Sequence, residues 1–425
     1  MANKAHRGRV KASSKRKVAR TARPRRGALR HWACQLAVVE TYLRRSGQAP
    51  LKTCISGREL LPADEIVQRL VAHSLRWESL NIQLSLVNTI KNMPSVVRGN
   101  IPRLTTLTLT HNEFEFMMDR FSVLNDDLAA FAVFEDASSL HTIEFISWPK
   151  PATLKLPWSQ IHHLSAHNMT PNDCIQLLNI APTITSCEFT MRMLSMMEMG
   201  EPMATHCVAD HLQSLTLISA TPFLSISMLT DILHSVTFPS LKILEIHGCQ
   251  IGSNTTFRDF DGALLAFILR STCPLDRLKL HEVPLSKDGL AEVFVLLRSL
   301  RCLEIDGFNA TSPGSRLDID FLGLAHPDNN NGVRSLPHLN RFSLSCSLKE
   351  SEFGKLADVL ESRRAAFDDP HGQVVPLESV NLHIKGRGEL PDNFNSRLRI
   401  LASSGMKIQI NGENLKEINS ETQRS

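Results

Sequence analysis

From Trp77 onward the chain repeats one short phrase, apolar-x-x-apolar-x-apolar. It occurs at Trp77 (WESLNI), Leu104 (LTTLTL), Leu140 (LHTIEF), Ile161 (IHHLSA), Ile184 (ITSCEF), Leu212 (LQSLTL), Leu241 (LKILEI), Leu275 (LDRLKL), Leu300 (LRCLEI), Leu339 (LNRFSL) and Leu377 (LESVNL). Its fourth and sixth positions keep the period of two that sends alternate side chains to opposite faces of a strand. The whole phrase is the strand signature of a leucine-rich repeat. Successive phrases start 21 to 39 residues apart, centred on the leucine-rich range and exceeding it where return segments carry insertions on one face.

Between the phrases the apolar period lengthens to that of a helix. Thr170-Pro171 sets a capping hydroxyl before a proline at the first helical position and leads into Cys174, Ile175, Leu177 and Leu178; Asp261 precedes ALLAFIL, Asp288 precedes GLAEVFVLL, and Ser351 precedes FGKLADVLESRR. The sequence therefore predicts an α/β chain, an irregular leucine-rich repeat solenoid of about eleven strand-helix repeats on a curved parallel sheet, preceded by a disordered basic tail. A doubly wound βαβ fold alternates in the same way, but no glycine-rich phosphate loop follows any of these phrases. At the ninth repeat position, where Asn or Cys often satisfies turn backbone, only Asn112 and Cys249 clearly comply. The expected organisation is a tail over 1–28, a helical N-terminal region over 29–76, the repeats over 77–412 and a flexible C-terminus over 413–425.

The charge distribution sharpens this picture. The chain carries a formal +4, yet residues 1–30 hold twelve Lys and Arg and no acid, so the remainder carries 4 minus 12, or −8. The tail also lacks the apolar content that offsets ordering entropy. Its basic run, Lys15, Arg16, Lys17, Arg20, Arg23, Arg25 and Arg26, suits a nuclear address or weak nucleic-acid contact through phosphate neutralisation. No apolar run is long enough for a membrane span and no signal-peptide core is present, so an intracellular chain, cytoplasmic or nuclear, without membrane attachment is expected. Nine cysteines without a CxxC pair argue for reduced, mostly buried thiols. The sequons at Asn168, Asn254 and Asn309 are then idle.

The order of several phrases carries a further signal: ETYLRRSGQAPLKTCI (Glu40 to Ile55), LVAHSLRWESLNIQL (Leu70 to Leu84), RGNIPRLTTLTL (Arg98 to Leu109) and LPWSQIHHLSAHNMTPNDCIQLLNIAPTITSCEF (Leu156 to Phe189). In this order they resemble the F-box-like leucine-rich repeat proteins of mushroom-forming fungi, over roughly residues 32 to 410. The resemblance implies a substrate receptor related to the F-box proteins of SCF-type ubiquitin ligases, with a protein partner on the repeats. In that family an N-terminal F-box, running from a Leu-Pro-x-Glu-Ile phrase to a Cys-x-x-Trp phrase, docks on the ligase adaptor. Residues 1–31 hold neither phrase, and Leu61-Pro62-Ala63-Asp64-Glu65-Ile66 stands where the family has the helix after the F-box. A cullin-ligase adaptor is thus implied only through an F-box encoded upstream.

Candidate chemistry follows from the phase of the phrase. First, fourth and sixth positions face the core; third, fifth and usually seventh line the open, concave face. The partner-facing set is then His163, His167, Glu188, Glu245, His247, Arg277, Lys279, His281, Glu304 and Arg341. Strands ~4.8 Å apart let opposite charges on this face either cancel in cross-strand ladders or meet a partner, along an arc of about 50 Å. His163 and His167 stand about 13 Å apart along one strand, too far for a shared zinc. Cys174 and Cys187 fall on core positions, so no metal is expected there. The methionine cluster MRMLSMMEMGEPM, from Met191 to Met203, reads as an apolar covering loop. No GxSxG, HExxH, Walker A or GxGxxG phrase is present, so neither an enzyme nor a cofactor is expected.

Overall fold

The computed structural model describes residues 26–55, 63–83, 97–111, 132–148, 150–192, 206–219, 225–248, 257–283, 285–308, 336–365, 374–385 and 390–415. The elements run α1 (Arg26–Arg45), β1 (Leu51–Ile55), α2 (Ala63–Val71), β2 (Trp77–Gln83), β3 (Thr106–Thr110), β4 (Thr142–Ile146), β5 (His163–Met169), α3 (Pro171–Ile180), β6 (Ser186–Met191), β7 (Cys207–Val208), β8 (Ser214–Ser219) and α4 (Ser225–Ser235). They continue with β9 (Val236–Thr237), β10 (Ile243–His247), α5 (Phe257–Ser271), β11 (Arg277–His281), α6 (Lys287–Leu296), β12 (Cys302–Phe308), β13 (Arg341–Cys346), α7 (Glu350–Ala365), β14 (Ser379–Ile384), α8 (Asp392–Ser403), β15 (Lys407–Ile410) and β16 (Glu413–Asn414).

One 14-stranded sheet runs in the order β1-β2-β3-β4-β5-β6-β8-β10-β11-β12-β13-β14-β15-β16, while β7 and β9 pair separately. Every neighbour in the long sheet is parallel except β15 and β16. Parallel order in chain sequence, with α2 to α8 each lying in a return between sheet strands, is the solenoid expected from the phrases. Each of the eleven phrases supplies one strand, β2 to β6, β8 and β10 to β14.

The side-chain phase is as expected. The first, fourth and sixth residues of all eleven phrases, from Trp77, Leu80 and Ile82 to Leu377, Val380 and Leu382, are 5% exposed or less. Burying a Leu, Ile or Phe side chain stabilises by about 1.5–3 kcal/mol, so one continuous core drives the stacking. Isolated repeats have no such core.

A backbone ladder holds the repeats in phase despite unequal return lengths. The carbonyl of each residue two positions before the strand core accepts from two successive N–H groups of the next repeat. His162 accepts from Thr185 and Ser186 at 2.9 and 3.1 Å, Thr185 from Gln213 and Ser214 at 2.8 and 3.1 Å, and Gln213 from Lys242 and Ile243, both at 2.9 Å. The pattern continues through Lys242, Asp276, Arg301 and Asn340. At the far ends of several strands stands a left-handed residue: Ser147 (φ 54°) after β4, Asn168 (φ 63°) at the irregular end of β5 and Glu282 (φ 51°) after β11. Non-glycine residues rarely adopt this conformation. Here the N–H of Ser147 and of Glu282 each bonds the next repeat, to His167 and Asp306 at 2.9 and 2.7 Å, which offsets the strain. Asn112 and Cys249 lie outside the described residues.

Several boundaries differ from the sequence reading. The helix α1 starts at Arg26, inside the expected tail, and the rest of the basic run, Lys15 to Arg25, lies outside the described residues. The expected helical region over 29–76 contains β1, which opens the sheet; Arg76 locks it by donating to the Ala49 carbonyl at 3.0 Å and the Ser46 hydroxyl at 2.6 Å. Glu413–Asn414, expected to be flexible, form the closing strand β16. Of the helix starts, Thr170 caps α3 in a capping box with Asp173. Asp261, however, lies inside α5, the cap of α6 is Ser286 rather than Asp288, and α7 begins at Glu350, one residue before Ser351. For α6 the better placed Ser286 takes the cap, and Asp261 accepts from Ser286 from within α5. The methionine-rich stretch from residue 193 lies outside the described residues.

Candidate interaction surface

Strand register sorts the open face into three columns. The third-position column runs Thr106, Thr142, His163, Ser186, Ser214, Ile243, Arg277, Cys302, Arg341 and Ser379. The fifth runs Thr108, Glu144, Ser165, Glu188, Thr216, Glu245, Lys279, Glu304, Ser343 and Asn381, and the seventh carries His167, Thr190, Ile218, His247, His281, Asp306, Ser345 and His383. All ten residues expected on this face lie in these columns. His162 is exposed on the rim.

The columns group the charges into local clusters. Around β10 and β11 the Glu245 carboxylate lies 3.6 Å from His247 Nε2 and 3.9 Å from Lys279 Nζ. The rings of His247 and His281 stack with centroids 5.4 Å apart. His281 Nε2 lies 3.1 Å from Asp306, whose other oxygen is 3.4 Å from Lys385 Nζ. Burial, then the charges of Lys279 and His281, hold the His247 imidazole below its ordinary range despite Glu245. Burial pulls Asp306 upward, but the Ser345 hydroxyl, Lys385 and His281 outweigh it and leave the carboxyl below its ordinary range. Arg277 is held above its usual value by a hydrogen bond with the Cys302 thiol, against burial and with help from Glu304 and Glu245.

A second cluster lies on β4 to β6. Glu144 accepts from the Thr108 hydroxyl at 3.0 Å and faces His167 Nε2 at 3.6 Å. The two ring nitrogens of His167 also pair with Ser165 at 2.9 Å and Thr190 at 3.0 Å. His163 instead packs edge-on against His141, ring centroids 6.4 Å apart, and burial, then His141 and His162, lower its proton affinity. The two histidines of β5 therefore have separate surroundings. Cys174 and Cys187 are buried, and burial pushes both thiols well above their ordinary range. Among the described residues no group of three or more His, Cys, Asp or Glu is placed to hold a metal ion.

Glu144, Asp306 and Lys385 were missed by the sequence reading. The first two occupy the fifth and seventh phrase positions, as Glu188 and His281 do. Lys385 follows β14 and reaches back across β13, which no local pattern encodes.

No family model matches the chain, and no curated protein matches its sequence. Among solved structures, a chain from the crystal structure of the yeast Rad7 and Elc1 complex aligns with 90% of this chain and 94% of its own length, at 14% identity and a TM-score of 0.32. The fold assignment here rests on the strand register itself. No helix among the described residues is long and apolar enough to cross a membrane.

Proposed function

We propose that this chain is a non-catalytic interaction protein that binds a protein partner on the open face of its sheet. The observation that carries this is the unbroken run of thirteen parallel strands, whose open face spans about 58 Å at ~4.8 Å per strand. That extent suits a protein surface or an extended peptide. A photo-crosslinking residue placed at Thr216 or Asn381 on the open face should capture a partner in cells, and one at Ile400, on the exposed side of α8, should not. Adducts formed only from Ile400 would sink the proposal.

The finer proposal is a substrate receptor of a ubiquitin ligase. It is supported by the order of the phrases between Glu40 and Phe189. Co-purification of the full chain, and of any longer form its transcripts encode, with a cullin adaptor tests it; failure of both removes the ligase role. A second reading, a nuclear or nucleic-acid-associated factor, is favoured by the twelve uncompensated cations of residues 1–30. Deleting residues 1–25 should redistribute a fluorescent fusion, and an unchanged distribution removes it.

A further inference from the structure

The open face is not uniform in charge. Strands β2 to β6 and β8 carry no Lys or Arg, whereas β11 and β13 carry Arg277, Lys279 and Arg341. Most charges on the face are already engaged: Glu144 by Thr108 and His167, Glu245 by His247 and Lys279, Asp306 by His281 and Lys385, Arg277 and Glu304 around the Cys302 thiol. Two are different. Glu188 sits in register between Ser165 and Thr216, and Arg341 between Cys302 and Ser379. Neither enters an ion pair among the described residues. Between them Ile243 of β10 breaks the polar third-position column with an apolar side chain, half-buried.

Resting on the open-face reading above, we infer that the partner presents a charge-ordered extended segment: a Lys or Arg against Glu188, an apolar residue against Ile243, and an Asp or Glu against Arg341. From β6 to β13 is five strand steps, β8, β10, β11, β12 and β13, or about 24 Å. An extended chain covers that in about seven residues, with the apolar residue about three from the cation and about four from the acid. The self-neutralised charges between them offer little net attraction, and a partner charge set there would displace an existing pair. The two ends therefore select the segment and its polarity.

A phage-displayed random dodecapeptide library panned on the full chain tests this. The enriched peptides should carry a cation and an acid about seven residues apart around an apolar residue. Glu188→Lys and Arg341→Glu should each weaken them on the order of tenfold or more, and the double swap should recover binding to peptides of inverted charge order. Circular dichroism checks that each variant folds. Thr216→Arg, which fills the face between the ends, separates the two proposals. If it abolishes binding while both charge reversals leave it unchanged, the surface stands and the charge order is overturned. If it has no effect on any enriched peptide, or nothing is enriched, both fail.

Discussion

Asp261, inside α5, holds Ser286, the residue that caps α6. Its carboxylate accepts from the Ser286 N–H at 3.1 Å and from the Ser286 hydroxyl, which in turn accepts from the Gly289 N–H at 3.0 Å. A side chain at Gly289 would collide with the Asp261 carboxyl group, so three residues from two repeats form one joint. Asp261→Ala should cost about 1.5–3 kcal/mol, the range for charge-assisted hydrogen bonds. Gly289→Ala should also destabilise, but by less in the Asp261→Ala background, where the obstructing carboxylate is gone. Urea unfolding of the four proteins of this cycle checks it, and strictly additive losses would sever the joint.

Gly248 ends β10 at a close approach between repeats. Its N–H donates to the His281 carbonyl at 2.7 Å, and a Cβ there would strike the Glu282 carbonyl. The obstacle is backbone, and Glu282 already has φ 51°, so it cannot simply rotate away. Gly248→Ala should cost about 1–3 kcal/mol, read as a lower thermal midpoint. An unchanged midpoint would mean that the two strand ends separate freely.

The apolar period made both the strands and the face legible, because a residue's side of a strand depends only on its parity within the phrase. Leu244 and Glu245 illustrate this: adjacent in sequence, one is core and the other lies on the open face. Which charges cancel was not legible, because it depends on register between residues far apart in sequence, such as Lys385 and Asp306, which skip an intervening strand. Helix starts were only partly legible. Asp261 is a residue type that often caps helices, but it lies inside α5 and its partner Ser286 belongs to the next repeat. The strand β1 escaped because LKTCI alone lacks the phrase; what recruits it is pairing with β2 and the clamp of Arg76.

His247 on the open face makes stability depend on mild acid. His247, facing Glu245, Lys279 and His281, is held below its ordinary range, as is His163 facing His141 and His162. A base whose folded pKa is depressed binds fewer protons folded than unfolded, so its contribution is complete above the unfolded value of about 6.5 and is lost as pH falls through the folded value. Asp306, whose carboxyl is lowered, acts only at more acid pH. The thermal midpoint should therefore fall between about pH 7 and 5, with a shallower fall in His247→Asn. An NMR titration that placed the His247 midpoint at or above the ordinary value would refute this.

The C-terminal edge of the sheet is closed by a device of two residues. Asn411 and Gly412 adopt φ 51° and 89°, both left-handed, which is the requirement of a type I′ hairpin turn and the reason Asn-Gly suits it. The turn folds β16 back so that Gln409 pairs with Asn414 and Ile410 with Glu413, and Leu415 is buried behind them. The Asn411 side chain also accepts from the Ile384 N–H at 2.9 Å, tying the turn to the preceding repeat. Without β16 the outer edge of β15 would present unpaired N–H and C=O groups beside the apolar Ile408 and Ile410, a template for pairing with another copy. A chain ending at Ile410 should therefore self-associate with rising concentration, and Gly412→Val, strained by about 1–3 kcal/mol, should do so more weakly. Light scattering after size exclusion distinguishes these. If the truncated chain stays monomeric with an unchanged thermal midpoint, β16 protects nothing and the sheet tolerates an open end.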